Sequence, residues 1–133
     1  MKKNIPVKIG WETIILIAVP LLFPLYFVFT DKDYIPLTIL IPAIIFVSIL
    51  IMGISYRIIG NELIIRNSIF GSTRIPISDI RSVKRTKNPI SSPAPSIFGR
   101  IEIIYKNDSI IISPKDFDLL KNELLKINPN ITF

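Results

Sequence analysis

Cysteine and histidine are both missing from this sequence. Without cysteine there is no disulfide framework and no thiolate chemistry, and without histidine the commonest general base and metal ligand is gone. Zinc sites, Ser-His triads and cysteine nucleophiles are excluded. Glycine is scarce, five in 133 residues, and neither a phosphate-cradling Gly-rich loop nor an S-x-x-K pair occurs. The expectation is a non-enzymatic chain with no cofactor and no metal. Charge is absent from two long stretches: "TIILIAVPLLFPLYFVFT", residues 13–30, and "IPLTILIPAIIFVSILIMGIS", residues 35–55.

Half of the chain is apolar, with a positive mean hydropathy of +0.53. Each uncharged stretch is close to the roughly 20 residues that cross about 30 Å of hydrocarbon as a helix. Ile, Leu, Phe and Val each favour insertion by about 0.3–0.6 kcal/mol, which outweighs the scattered Thr, Ser and Pro. Pro20, Pro24 and Pro42 are expected to kink these helices rather than end them, because a neighbouring helix in lipid can cover the freed carbonyls. The opening "MKKNIPVK" looks like the basic region of a cleaved signal peptide. However, the apolar run that follows is too long for one, no A-x-A site follows, and a second span comes almost at once.

Only "DKDY", residues 31–34, separates the spans, so the pattern predicts an antiparallel transmembrane hairpin within residues 1–55. Lys2, Lys3 and Lys8 precede the first span and Arg57 and Arg66 follow the second, against a single Lys32 in the turn. The excess of positive charge on one side predicts a multi-pass protein of the cell membrane with both termini cytoplasmic. Trp11, Tyr26, Tyr34 and Tyr56 stand at or near the span ends, where amphipathic rings favour the headgroup level. Asp31 and Asp33 offer a cation two carboxylates, but solvation of a short turn explains them. No charged residue lies within the spans, so a proton relay or transport pathway is not expected.

From residue 56 to residue 133 the pattern changes to short alternating runs broken by turn residues, an all-β signature with a final helix. "YRII" and "ELIIR" meet across Gly60-Asn61, "STRIPI" and "SVKRT" follow the loop around Gly71, and "RIEIIYK" meets "SIIIS" across Asn107-Asp108. Six short antiparallel strands result. In the closing helix Ser113 is the expected N-cap, with Pro114 at N1 and Asp116 at N3. Phe117, Leu120, Leu124 and Ile127 form its apolar stripe, leaving Lys115, Asp118, Lys121 and Glu123 for water.

The set of motifs in residues 75–131 is more specific than the element order. It comprises the I-P-x-S-D-I turn, a basic strand ending in "TKNP", the "SSPA" loop, the "I-S-P-K-D" helix entry and the terminal "NPNI". As a set they closely resemble the bacterial PH-like family of YyaB-like membrane proteins, in which two spans precede a PH-like domain. The resemblance implies an α+β membrane protein: a two-helix hairpin, then a small antiparallel PH-like sheet or barrel with one C-terminal helix. A typical PH domain has seven strands, which implies that a seventh is hidden near residues 88–99 or absent.

Twelve Lys or Arg against seven Asp or Glu lie in residues 56–133. Arg81, Lys84, Arg85 and Lys87 are clustered, with Arg100 just beyond a Pro/Ser loop. In PH domains that bind phosphoinositides a basic strand-loop region holds the phosphates. The resemblance therefore implies a binding module that engages a protein partner, the anionic phospholipid of the inner leaflet, or both, through these five residues. At about 1 kcal/mol per cation near an anionic surface, four orient a tethered domain without specifying one lipid. Charges that guard an exposed strand edge are the plainer alternative. Nucleic acid is not expected, since no aromatics interleave the basic run. Pro89, Pro93 and Pro95, flanked by Ile90, Ile97 and Phe98, predict an ordered cover or contact surface rather than a flexible linker. Small bacterial membrane proteins with PH-like domains also include immunity factors, so protection against a membrane-active bacteriocin is the alternative role.

Overall fold

The computed structural model describes residues 2–32, 34–90 and 93–133. Asp33 of the turn and the two serines of the "SSPA" loop lie outside the described residues. Two helices, α1 (Trp11–Asp31) and α2 (Ile35–Met52), run continuously through Pro20, Pro24 and Pro42. Both are long and apolar enough to cross a membrane, and almost none of their residues are buried inside the protein. An all-round apolar helix is at home only where its surroundings are apolar as well. Lys32, in the left-handed conformation, ends α1.

Among the described residues seven strands form two sheets. The first contains β1 (Lys2–Ile5), β2 (Ile54–Ile59), β3 (Glu62–Asn67) and β4 (Ser72–Pro76) in that order, and the second contains β5 (Ile80–Arg85), β6 (Ile101–Tyr105) and β7 (Asp108–Ile112). All pairings are antiparallel. The Gly60-Asn61 turn forms as expected, with Gly60 at φ +58°, a conformation that costs a residue without Cβ little. The second tight turn sits one residue earlier than expected: Tyr105 pairs with Asp108, and Lys106 rather than Asn107 takes the positive φ.

Among the described residues of 88–99 there is no strand; a seventh strand is found elsewhere. It is β1, at the N-terminus, pairing Ile5 with Tyr56 and Lys2 with Ile59. The α1–α2 hairpin is thus inserted between two adjacent strands of one sheet. Just beyond β1, Lys8 N–H donates to Ser113 O (2.8 Å) and Lys115 N–H donates to Pro6 O (2.8 Å), which ties the first sheet to the end of the second. Residues 2–8 therefore serve both sheets.

The C-terminal helix, α3 (Phe117–Ile127), begins at Phe117, not at Pro114. Asp116 is the N-cap, accepting from Leu119 N–H at 2.9 Å. Ser113 is fully buried and committed elsewhere: its amide donates to the Tyr56 hydroxyl and its own hydroxyl to Lys8 O. Pairing with residues 6–8 outweighs the local capping preference. Leu120 and Leu124 bury the stripe, with Phe117 and Ile127 half-buried beside them. Glu123, expected in water, is buried and holds Lys126 Nζ at 2.8 Å; this hydrogen bond keeps its carboxyl below the usual range. Past the helix, Asn128 Nδ2 donates to Ile77 O (3.0 Å), and Thr132 exchanges backbone hydrogen bonds with Arg81 and Val83 along the outer edge of β5. The core lies between the sheets and α3, from Ile5, Tyr56, Leu63 and Ile75 to Val83, Ile103, Ile112 and Leu124.

Candidate functional site

The Pro/Ser loop between β5 and β6 is folded inward. Pro93, Ala94, Pro95 and Ser96 are buried, as an ordered cover requires, whereas Ile90, Ile97 and Phe98, the apolar residues expected to fold the loop back, are exposed. Prolines donate no N–H and leave carbonyls in need of outside donors. The Tyr56 hydroxyl donates to Pro93 O, and Thr13 Oγ1 and Gly10 N–H both donate to Pro95 O, at 2.7 and 3.4 Å. Tyr56 is 1% exposed, so it belongs to the core and not to an aromatic belt at the span end; burial pushes its hydroxyl pKa up. Trp11 and Tyr34 do stand exposed at the ends of the helices, and Tyr26 is exposed more than a turn inside the end of α1.

Arg100 is the largest donor to the loop. Its guanidinium is buried and donates through Nε to Ser96 O (2.5 Å), through Nη1 to Asn88 O (3.0 Å) and Pro89 O (2.8 Å), and through Nη2 to Ala94 O (3.0 Å). The planar fork fits four carbonyls that an ammonium could not reach together. Arg100 therefore acts as the spindle on which the loop is wound, with four of its five donors committed to the loop.

From the other side the loop is held by α1. Glu12, in the first turn of the helix, accepts from the Ser96 hydroxyl (2.7 Å), Ile97 N–H (2.7 Å) and Phe98 N–H (3.3 Å). Its carboxylate folds back over Gly10, where a Cβ would lie 1.9 Å from an oxygen. Gly10→Ala should therefore expel the carboxylate from its three donors. We expect amide exchange at Ile97 and Phe98 to accelerate while exchange in β6 stays slow; unchanged protection at both amides would show that the carboxylate does not secure the loop.

The wound loop leaves a groove of about 530 Å³ between the end of β5 and the loop's return, lined by Arg85, Thr86, Lys87, Ile97, Phe98 and Arg100. Of the five basic residues singled out in the sequence, Arg85, Lys87 and Arg100 meet there. Arg81 and Lys84 are exposed on β5 away from the lining, and Lys84 stands opposite Glu102 in the strand register. Arg85 also lies over the Phe117 ring, 5.3 Å from its centroid. Sequence reading missed Lys8: its Nζ is 3.3 Å from where a Cβ on Gly99 would be, beside the groove. The only hint is indirect, a lysine immediately before an apolar span. Among the described residues no group of three acidic side chains gathers to hold a metal ion.

No curated protein and no solved structure matches the chain. The family model described as "Bacterial PH domain" matches residues 54–128, from the start of β2 to the end of α3, and leaves β1 and the hairpin outside. That span is more than half of the chain, and with two sheets of antiparallel strands closed by a C-terminal helix behind two long apolar helices, this chain belongs to the Bacterial PH domain family.

Proposed function

We propose that the chain is a non-enzymatic, membrane-anchored PH-type binding module whose groove takes the anionic headgroup of a phospholipid at the cytoplasmic face of the cell membrane. One observation carries it: the groove with Arg85 and Lys87 is walled by the same loop whose carbonyl at Pro95 and amides at Ile97 and Phe98 are bonded to the first turn of α1. If α1 enters the bilayer there, the groove opens at headgroup level. Because β1 and β2 are paired neighbours, the chain must leave and return on one side, which agrees with two spans. Lys2, Lys3, Lys8, Arg57 and Arg66 on that side against Lys32 in the turn support the cytoplasmic side.

Arg85, Lys87 and Lys8 supply charge, Thr86 a hydroxyl, and Ile97 and Phe98 an apolar wall for the start of an acyl chain. Arg100 contributes field but spends four of its five N–H donors on the loop, so it shapes the groove rather than grips the ligand. Each cation at the surface contributes about 1 kcal/mol, roughly fivefold in affinity. The test uses the full chain in zwitterionic detergent, titrated with a short-chain phosphatidylglycerol and, in parallel, with the matching phosphatidylcholine, while the amides of Thr86, Lys87 and Gly99 are followed by NMR. Saturable shifts with the anionic lipid alone are expected, weakened about fivefold by Lys87→Ala and about as much by Arg85→Ala, and weakened further by salt. Equal shifts with both lipids, or indifference to both substitutions, would overturn the lipid reading and leave a protein as the ligand to seek.

A further inference from the structure

Two apolar tips of the domain flank the base of the hairpin. One is the 3-10 turn Ser68–Phe70 between β3 and β4, where Ile69 and Phe70 are exposed, the latter by 71%. The other is the return of the Pro/Ser loop, where Ile97 and Phe98 are exposed and Phe98 stacks on Trp11 at 6.4 Å between centroids. Neither tip is packed on the core, yet each is fastened to a helix end. Ser68 Oγ donates to Ile49 O at 3.0 Å, and Ser68 fills the place where a Cβ on Gly53 would stand, so no larger residue fits between the turn and the end of α2. The second tip is fastened through Glu12 and Thr13 to the first turn of α1.

These attachments set depth as well as position. Ile49 lies three residues inside the end of α2 and Thr13 two residues inside the start of α1, each about one helical turn into the apolar segment. Phe70, Ala94 and Pro95 border a cavity shared with Leu50, Ile51 and Thr13, so both tips overlap the helices rather than hang below them. Exposed aromatic and branched side chains at that level are continuous with the apolar surface of the spans. Loose surface loops of soluble domains rarely present such a patch.

We infer that Ile69, Phe70, Ile97 and Phe98 are buried among the lipid acyl chains next to the headgroups, forming a collar that seats the PH-type domain against the bilayer. The inference rests on the helices spanning the membrane but does not need the groove to bind a lipid. Its occupant is the lipid of the surrounding leaflet, because the tips are fastened to the very turns where the helices enter.

Trp11 is the only tryptophan, so a Trp11→Phe chain is a silent background. In it, Phe70→Trp, Phe98→Trp and, in the middle of α2, Phe46→Trp are made separately and reconstituted into phosphatidylcholine vesicles whose acyl chains are brominated either near the headgroup or near the chain end. Phe70→Trp and Phe98→Trp should lose emission most with bromine near the headgroup and resist aqueous iodide; Phe46→Trp should lose it most with deep bromine. If Phe46→Trp is quenched by bromine while the two tip variants answer only to iodide, the spans stand and the collar is overturned. If Phe46→Trp also escapes bromine, the spanning reading falls and the collar with it.

Discussion

Arg100→Met is expected to destabilise the folded chain by about 3–5 kcal/mol, the loss typical of breaking a buried charged network. Methionine matches the length and apolar stem of arginine but offers no donor, so the carbonyls of Asn88, Pro89, Ala94 and Ser96 lose their shared partner at once. Those carbonyls cannot turn to neighbouring amides, because Pro89, Pro93 and Pro95 have none. An orphaned buried acceptor costs about 1–3 kcal/mol, and partial relaxation of the loop toward water keeps the total below the simple sum. Arg100→Lys should recover only a minor part, since one ammonium on a flexible stem cannot span both ends of the fork. Chemical unfolding of the full chain in detergent, followed by tyrosine and tryptophan signals, measures the loss. Limited proteolysis should find new cleavage between residues 88 and 99 in Arg100→Met. A change below about 1 kcal/mol, the size of an ordinary surface effect, would mean that the loop is held by Tyr56 and Glu12 and not by Arg100.

Much of the domain was legible because its signals are local. Alternation in residues 56–59 and 62–66 around Gly60-Asn61 defines a hairpin whose register the structure reproduces, and the stripe Leu120, Leu124 and Ile127 marks one face of a helix. The spans are legible for a similar reason: a long uncharged run needs no partner to be recognised. What escaped depends on distant pairing. "KKNI" is four residues with no alternation to read, and it becomes a strand only because β2 offers it an edge. Ser113 has every local mark of a cap, yet residues 6–8 claim the segment first.

The basic cluster shows the same division. Arg81, Lys84, Arg85 and Lys87 read as one patch along the chain, but a β-strand turns neighbours to opposite faces: Lys84 pairs across from Glu102, while Arg85 comes round to Phe117 and the groove. The burial of Arg100 did leave a trace. A loop with three prolines has more carbonyls than amides, and an arginine at the point where the loop re-enters an apolar strand is the nearest side chain with donors to match.

The joining of the two sheets by residues 2–8 leads to the second large effect: Ile5→Asp is expected to cost about 4 kcal/mol or more, as burying an unpaired charge in place of a well-packed aliphatic side chain does. Ile5 is 2% exposed, sits opposite Tyr56 and packs into the same core as α3. Asn4→Asp is the matching control, one residue away on the exposed face, where the charge meets water and an effect within about 0.5 kcal/mol is expected. Chemical unfolding gives the two values, and amide exchange shows where the loss falls. In Ile5→Asp, protection should vanish first at Lys8 and Lys115, whose hydrogen bonds join the sheets, and along β2, while the β5–β6–β7 sheet retains its own. Equal stability of the two variants would mean that β1 is an ornament on an edge rather than a closing strand. The consequence reaches the hairpin, since β1 and β2 hold its two ends; with β1 released, α1 loses the strand that leads into Gly10 and Glu12 and so the fixed position from which it grips the Pro/Ser loop. A chain that keeps α2 attached but frees α1 in this way should also lose the quenching of Phe98→Trp by lipid bromine before that of Phe70→Trp, because only the latter tip is fastened to α2.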